Sequence, residues 1–198
     1  MPTTTLQNFG VPLGGGAGRG GILQPKTKWK FSVIATNFGI PTGSIALTQQ
    51  VMTVGRPKVG FESQTVDSYN SRSYYAGKAQ WDEITIKLRD DVTNCVEALV
   101  GAQLQKQMNF INQTTPLSGS NYKFQLLINT LDGGDDTILE EWFLEGCFVT
   151  SYEFDEFDYA ESSPMTISLS IRYDNATIQN GLMPVTPSLS TSDAGFIA

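Results

Sequence analysis

Apolar and polar residues alternate along the segment 165–173, which has the clearest strand pattern in the chain. Its odd-numbered positions are apolar or aromatic, and its even-numbered positions are threonine, serine or arginine, in the run MTISLSIRY. A period of two is typical of a strand that buries one face. We therefore expect 165–173 to be a strand whose odd-numbered side chains enter the core.

The same alternation predicts several further strands. Gly146 interrupts one of these runs and predicts a β-bulge. The polar and aromatic segment 56–75 is too long for a compact turn, so we expect a protruding hairpin or an ordered functional loop there. The further predicted strands cover about 29–33, 45–54, 81–89, 122–128, 138–144 and 148–154.

Apolar residues recur every three or four positions at about 91–111, which predicts one helix. Asp90 and Asp91 are candidates for its N-terminal cap. One helix among about seven strands predicts a mainly β fold, a β-sandwich or barrel with one packed α-helix. The predicted buried face consists of Val92, Val96, Val100, Leu104, Met108 and Ile111, with Cys95 and Leu99 beside it.

The composition predicts one domain with two flexible ends. The glycine-rich run GVPLGGGAGRGG indicates a flexible N-terminal arm at 1–25, and a Ser-, Thr- and Pro-rich end indicates a flexible tail at 179–198. The β domain is then 26–178. The chain has neither a signal-peptide pattern nor an apolar run of about 18 residues, so we expect no membrane binding. Cys95 and Cys147 are expected to be reduced, buried packing residues.

Charge and residue usage exclude most enzyme chemistry. The 198 residues contain no histidine, which removes Ser-His and Cys-His nucleophile pairs, His metal sites and the commonest general base. We expect no catalytic residue, no cofactor and no metal. The formal net charge of −7 disfavours ordinary nucleic-acid binding, because such binding needs basic residues against phosphates.

Two clusters remain as candidates for function. The first is a run of five acids, which favours a solvated or interface surface over a glycosidase pair because such a pair needs two unlike environments. The second contains Tyr69, Arg72, Tyr74 and Tyr75, which could stack single-stranded nucleic acid but whose composition is more typical of a protein interface. The five acids are Glu153, Asp155, Glu156, Asp158 and Glu161.

The order of these segments resembles the tail tube proteins of contractile bacteriophage tails. The resemblance rests on WDEITIKLRDD at 81–91 before the helix, LEGCFVTSYEFD at 144–155, and the closing strand MTISLSIRYDNA at 165–176. It covers roughly 28–178 and is a match of pattern and order.

This resemblance implies a structural tube subunit of the virion tail, assembled in the host cytoplasm. Such subunits form hexameric rings whose inner sheets join into one barrel, and the rings stack into a tube. The implied partners are further copies of the chain, the tail sheath protein, and tape-measure, baseplate and terminator proteins. DNA passes through the lumen transiently and without sequence preference.

Within this framework we assign surfaces to the two clusters. Glu153 and Asp155 are candidates for an acidic lumen, because negative side chains repel DNA phosphates. The segment 56–75, with its three tyrosines and Arg72, is the candidate for ring-to-ring contact, and 10–25 for an arm that reaches a neighbour. Two alternatives remain: the tube protein of a type VI-like secretion or contractile injection machine, and a small-ligand-binding β-barrel.

Overall fold

The computed structural model describes residues 13–16, 19–22, 26–39, 43–132 and 138–179. Residues 1–30 and 31–198 form two compact units. In the first unit, strand β1 (Leu13–Gly16) pairs with β2 (Arg19–Ile22) as an antiparallel hairpin. The other residues of the predicted arm at 1–25, and the predicted tail beyond Gln179, lie outside the described residues.

The described part of the second unit is mainly β with one α-helix, which confirms the predicted fold class. The predicted strand 45–54 is divided into two, the predicted strands 138–144 and 148–154 are one continuous strand, and 175–179 is a further strand. In chain order the elements are β3 (Phe31–Thr36), β4 (Ser44–Ala46), β5 (Val51–Val54), β6 (Val59–Ser68), β7 (Ser71–Trp81), β8 (Ile84–Arg89), α1 (Cys95–Gln107), β9 (Phe124–Leu131), β10 (Ile138–Phe154), β11 (Thr166–Arg172) and β12 (Asn175–Gln179).

One antiparallel sheet of eight strands has the order β4-β3-β9-β10-β11-β8-β5, with β12 also paired to β10. The long strand β10 lies in the middle of this order and joins the two halves of the sheet. Its first part pairs with β9 and β12, and its second part pairs with β11. The ladder shifts between Leu144 and Cys147, where Gly146 has φ +67, so the predicted bulge is confirmed.

The four-stranded half of the sheet, as we call it, consists of residues 147–154 of β10 together with β11, β8 and β5. Its core face is the alternation predicted from the sequence, because Ile167, Leu169 and Ile171 of β11 are almost fully buried. The helix α1 contributes Val96 and Val100 to the same hydrophobic core. One face of this half is therefore apolar and buried in the core, and the other carries polar side chains.

The two cysteines have different environments. Cys147 is buried in the core, and burial raises the pKa of its thiol to about 12, so the group stays neutral and acts in packing. Cys95 is exposed at the start of α1, so its predicted burial is wrong. Both are free thiols, as predicted.

The helix is shorter than the predicted 91–111. Val92 and Ile111 are exposed rather than buried, with relative exposures of 102% and 88%. The carboxylate of Asp91 accepts the Cys95 N–H at 3.0 Å, so Asp91 caps the first turn from outside the helix. At the other end, Asn109 Oδ1 accepts the Ile111 N–H at 3.0 Å and holds the chain in a turn.

Gly146→Ala is expected to lower the free energy of unfolding by at least about 2 kcal/mol. A positive φ disfavours any Cβ, and a Cβ at Gly146 would overlap the carboxylate of Asp174, which holds Lys123 Nζ at 2.5 Å. Urea unfolding should show a lower midpoint with an unchanged slope. The matched control is Gly101→Ala in α1, where a Cβ meets open space and should stabilise by about 0.5–1 kcal/mol. Equal effects at both sites would contradict this account.

Candidate assembly surfaces

The four-stranded half of the sheet has two open edges. One is β5, which pairs with β8 alone, and the other is 148–154 of β10, which pairs with β11 alone among the described strands. The side chains of Tyr152 and Phe154 are half-exposed at the β10 edge, and that of Met52 is half-exposed at the β5 edge. Open edges with exposed apolar side chains are a liability in a monomer and a common basis for association.

Strand direction alternates across this half, because each of its three pairings is antiparallel. The edge strands β10 and β5 therefore run in opposite directions. If a second copy placed its β5 beside β10 in a cyclic arrangement, the new pair would also be antiparallel. The alternation would then continue through every subunit of a closed ring.

The backbone of the β10 edge is open at two positions. The N–H of Asp155 donates to the carbonyl of Thr166 at 3.1 Å, so residue 155 bonds toward β11. Backbone groups alternate between the two sides of a strand, which directs those of Tyr152 and Phe154 away from β11. These two residues can therefore accept the strand of a partner.

The polar face of the four-stranded half carries the candidate lumen residues. Glu153 pairs with Ser168 of β11, which in turn pairs with Lys87 of β8. Asp155 follows the end of β10, and its Oδ2 accepts the Thr166 hydroxyl at 3.0 Å. The structure thus places Glu153 and Asp155 on neighbouring rows of the polar face, while Tyr152 and Phe154 point to the opposite side.

Three bases share this face with Glu153 and Asp155: Lys87 and Arg89 of β8, and Arg172 of β11, which binds Glu83 at 3.3 Å. Lys87 lies in the row of Glu153, and Arg89 pairs with Thr166 in the row of Asp155. Each acid and its base are separated by one strand, or about 10 Å at normal strand spacing. The face is therefore acidic along β10 and basic along β8. The sequence pattern alone could not place Lys87 and Arg89 beside the acids, because their neighbours depend on pairing through β11.

Strands β6 and β7 form an isolated two-stranded hairpin, which confirms the hairpin reading of 56–75 and extends it to Trp81. Tyr69 lies fully exposed in its turn, and Arg72 binds Asp67 at 2.5 Å. Tyr74 and Tyr75 are consecutive in β7, so they point to opposite faces of the ribbon. The three tyrosines thus do not form one stacking platform, because Tyr69 lies in the turn and Tyr74 and Tyr75 lie on opposite faces.

Ion pairs and ring contacts fix the base of this hairpin. Lys58 Nζ lies 2.8 Å from Asp82, which raises the pKa of Lys58, and the Asp82 N–H donates to the Lys58 carbonyl at 2.9 Å. Trp81 packs against Tyr173 with ring centroids 5.7 Å apart. The hairpin therefore leaves the domain through an ordered stem.

A buried carboxylate adds a second anchor beside that stem. Glu140 of β10 is 6% exposed, binds Arg56, and accepts the indole N–H of Trp142 at 2.5 Å. The sequence indicates its burial in one way, because Glu140 stands at an inward-facing position of an apolar strand. No local pattern indicates its partner, because Arg56 lies in a different part of the chain.

Two hollows lie on the surface of the described part of the chain. Their volumes are about 320 and 530 Å³, and both are open to solvent. Among the described residues there is no cluster of three or more Cys, Asp and Glu side chains that could hold a metal. No helix in the described ranges is long and apolar enough to cross a membrane.

Solved structures share this fold. A chain of the anti-feeding prophage cap, described as a tube terminating cap, superposes with TM-score 0.61 at 16% identity, covering 84% of this chain and 98% of that one. A chain of the PVC sheath-tube complex, from an extracellular contractile injection system, gives 0.57 at 15% identity, with 78% and 91% covered. The SPP1 tail tube gives 0.52 at 13% identity, with 78% of each chain covered.

No protein-family model and no curated protein sequence matches the chain. At these sequence identities the structural matches establish the fold, which is that of tube and cap proteins in contractile injection systems and of a phage tail tube.

Proposed function

We propose that this chain, which has the tube-protein fold, is a structural subunit of a contractile phage tail tube. In this proposal, copies associate into hexameric rings, and the rings stack into a tube through which DNA passes. The fold shared with the SPP1 tail tube supports it. The observation that carries the proposal is the pair of open, oppositely directed edges on the four-stranded half of the sheet. The subunit has no catalytic role and needs no cofactor.

Ring closure follows from these edges. The β5 edge of one copy pairs with the β10 edge of the next, so the inner strands of all subunits form one antiparallel barrel. The contact is heterologous, because two different edges meet, and heterologous contacts generate a ring when the rotation closes. Tyr152, Phe154 and Met52, which are half-exposed in the single chain, become covered by the neighbour.

The polar face of the four-stranded half then lines the channel. Rows of Ser and Thr give that face small side chains that do not obstruct a passing polymer. Glu153 and Asp155 are the acidic residues of this lining, and their charge disfavours adsorption of DNA phosphates.

Reversing these two charges is expected to slow DNA ejection about tenfold or more, because six-fold repetition places many new cations along the channel. The test compares phage particles built with Glu153→Lys and Asp155→Lys against wild type, with ejection measured at several salt concentrations. Glu156→Lys with Asp158→Lys is the control, since it makes the same change of charge in the exposed 156–165 connection. Equal ejection rates for wild type and the first variant would place Glu153 and Asp155 outside the lumen.

The β6–β7 hairpin provides the contact between successive rings. It projects as an exposed ribbon with a fixed stem, and Tyr69, Arg72, Tyr74 and Tyr75 present aromatic and charged groups in its outer half. Exposed tyrosine and arginine residues are typical of protein interfaces. The remaining partners are the tail sheath, tape-measure, baseplate and terminator proteins of the assembled virion.

Negative-stain electron microscopy of the purified full chain over a range of concentrations tests the proposal. Rings or tubes of one width are the expected result. A chain that stays monomeric at high concentration would contradict ring assembly and would favour the small-ligand-binding β-barrel.

A tube protein of a type VI-like or contractile injection machine is the second candidate, and Lys87 and Arg89 favour it. A channel with both signs of charge suits a protein cargo, whereas a DNA conduit gains from a single negative sign. Native particles distinguish the two functions. Nuclease-protected DNA inside them supports the phage tail, and protease-protected protein supports the injection machine.

A further inference from the structure

We propose that Gln107 limits how far a second copy of the chain can pair along the open edge of β10. This inference rests on the proposed ring assembly. The side chain of Gln107, at the last position of α1, binds both backbone groups of Val149. Its Oε1 accepts the Val149 N–H at 2.9 Å, and its Nε2 donates to the Val149 carbonyl at 2.9 Å.

These two bonds imitate a neighbouring strand. A side-chain carboxamide carries an acceptor oxygen and a donor nitrogen on one carbon, so it can bond both the N–H and the carbonyl of one strand residue. An antiparallel neighbour would use the same N–H and carbonyl of Val149. Gln107 therefore occupies the position that the next residue pair of a partner strand would take. The backbone groups of Val149 are closed to a second copy, while those of Tyr152 and Phe154 remain open.

The bulge beside Val149 also limits how far a partner strand can pair along this edge. The pairing with β11 shifts between Val149 and Ser151, and the Thr150 hydroxyl donates to the Ser170 carbonyl at 3.1 Å within this irregular turn of the strand. Bulges bend a strand and end regular pairing. Regular edge is left only at 151–154, a length that matches the four residues of β5, the edge proposed to meet it.

Because pairing is blocked at Val149, neighbouring subunits can align in only one register. Pairing between two strand edges can slip by two residues without moving any side chain to the wrong face, so side-chain pattern alone specifies it weakly. A slip toward Val149 would change the offset between neighbours and with it the geometry of the ring. Because Gln107 blocks that slip, every interface adopts one offset and the rings have one diameter.

The test compares wild type with Gln107→Ala by electron microscopy and by hydrogen exchange of individual amides. Wild type should form rings of one diameter, and Gln107→Ala should form rings of several diameters. In the unassembled variant, the Val149 amide should exchange about tenfold faster than in wild type. Gln105→Ala is the control, because Gln105 lies exposed on the same helix and should leave both measurements unchanged. Gln107→Asn, which is one methylene shorter, repeats the test with a polar side chain retained.

Hydrogen exchange of the edge amides distinguishes a failure of this inference from a failure of the proposed function. In wild type, the amides of Tyr152 and Phe154 should gain protection only on assembly, whereas Val149 should be protected before and after. Protection of Val149 that appears only on assembly would overturn the inference, as would one identical ring diameter for wild type and Gln107→Ala. A wild-type chain that never assembles would overturn the proposed function together with the inference.

Discussion

Tyr152→Pro is expected to abolish ring formation while leaving the fold of the single chain intact. The N–H of Tyr152 points away from β11, so its loss removes no hydrogen bond within the described sheet. Proline is tolerated on edge strands in this situation. In the ring, however, the partner carbonyl loses its donor and the pyrrolidine ring occupies the approach path. The cost is about 3 kcal/mol per interface, or about a hundredfold in the association constant.

Analytical ultracentrifugation and electron microscopy measure this effect, with far-UV circular dichroism and the urea midpoint as checks on folding. Tyr152→Thr is the matched control, because it removes the same aromatic ring from its contact with Phe154 but keeps the backbone N–H. We expect rings from the threonine variant at raised concentration and none from the proline variant. Rings from both would show that this edge is not the subunit interface.

The sequence was sufficient to predict the elements with strong periodicity. The alternation of 165–173 predicted β11 and its buried face, and Gly146 predicted the bulge in β10. Both are local properties, since a side-chain period or a positive φ depends on a few consecutive residues. The helix was predicted too long because Val92 and Ile111 fit the helical period, while the local hydrogen bonds of Asp91 and Asn109 shorten it.

The interfaces were less predictable because they depend on distant residues. The alternation correctly separated Glu153 from Tyr152 and Phe154, but only the pairing of β10, β11 and β8 shows that Lys87 lies in the same row. Gln107 meets Val149 across a separation of 42 residues, and no local pattern indicates which side chain of a helix will reach a strand. A sequence therefore indicates which surfaces are polar, and the fold determines which of those surfaces meet.

The hairpin and the ring interface should be separable by mutation, because they use different parts of the chain. The residues of β6 and β7 are almost all exposed, and Trp81 at the end of β7 is the one residue of the two strands that packs against the buried core. Removal of the other residues should therefore change the stability of the single chain by less than about 1 kcal/mol. The edges β5 and β10 carry none of the hairpin residues, so ring closure should also persist.

Replacing 60–80 by an Asn-Gly turn between Val59 and Trp81 is accordingly expected to give single rings that do not stack. This replacement keeps the Lys58–Asp82 ion pair and the contact of Trp81 with Tyr173, and an Asn-Gly pair suits a two-residue hairpin turn. Electron microscopy should show rings of wild-type diameter and no tubes. Tyr74→Ser with Tyr75→Ser, which keeps the ribbon but removes an aromatic ring from each face, should give shorter tubes. Long tubes from the shortened chain would exclude the hairpin as the stacking contact, and loss of the rings would assign it to the ring interface instead.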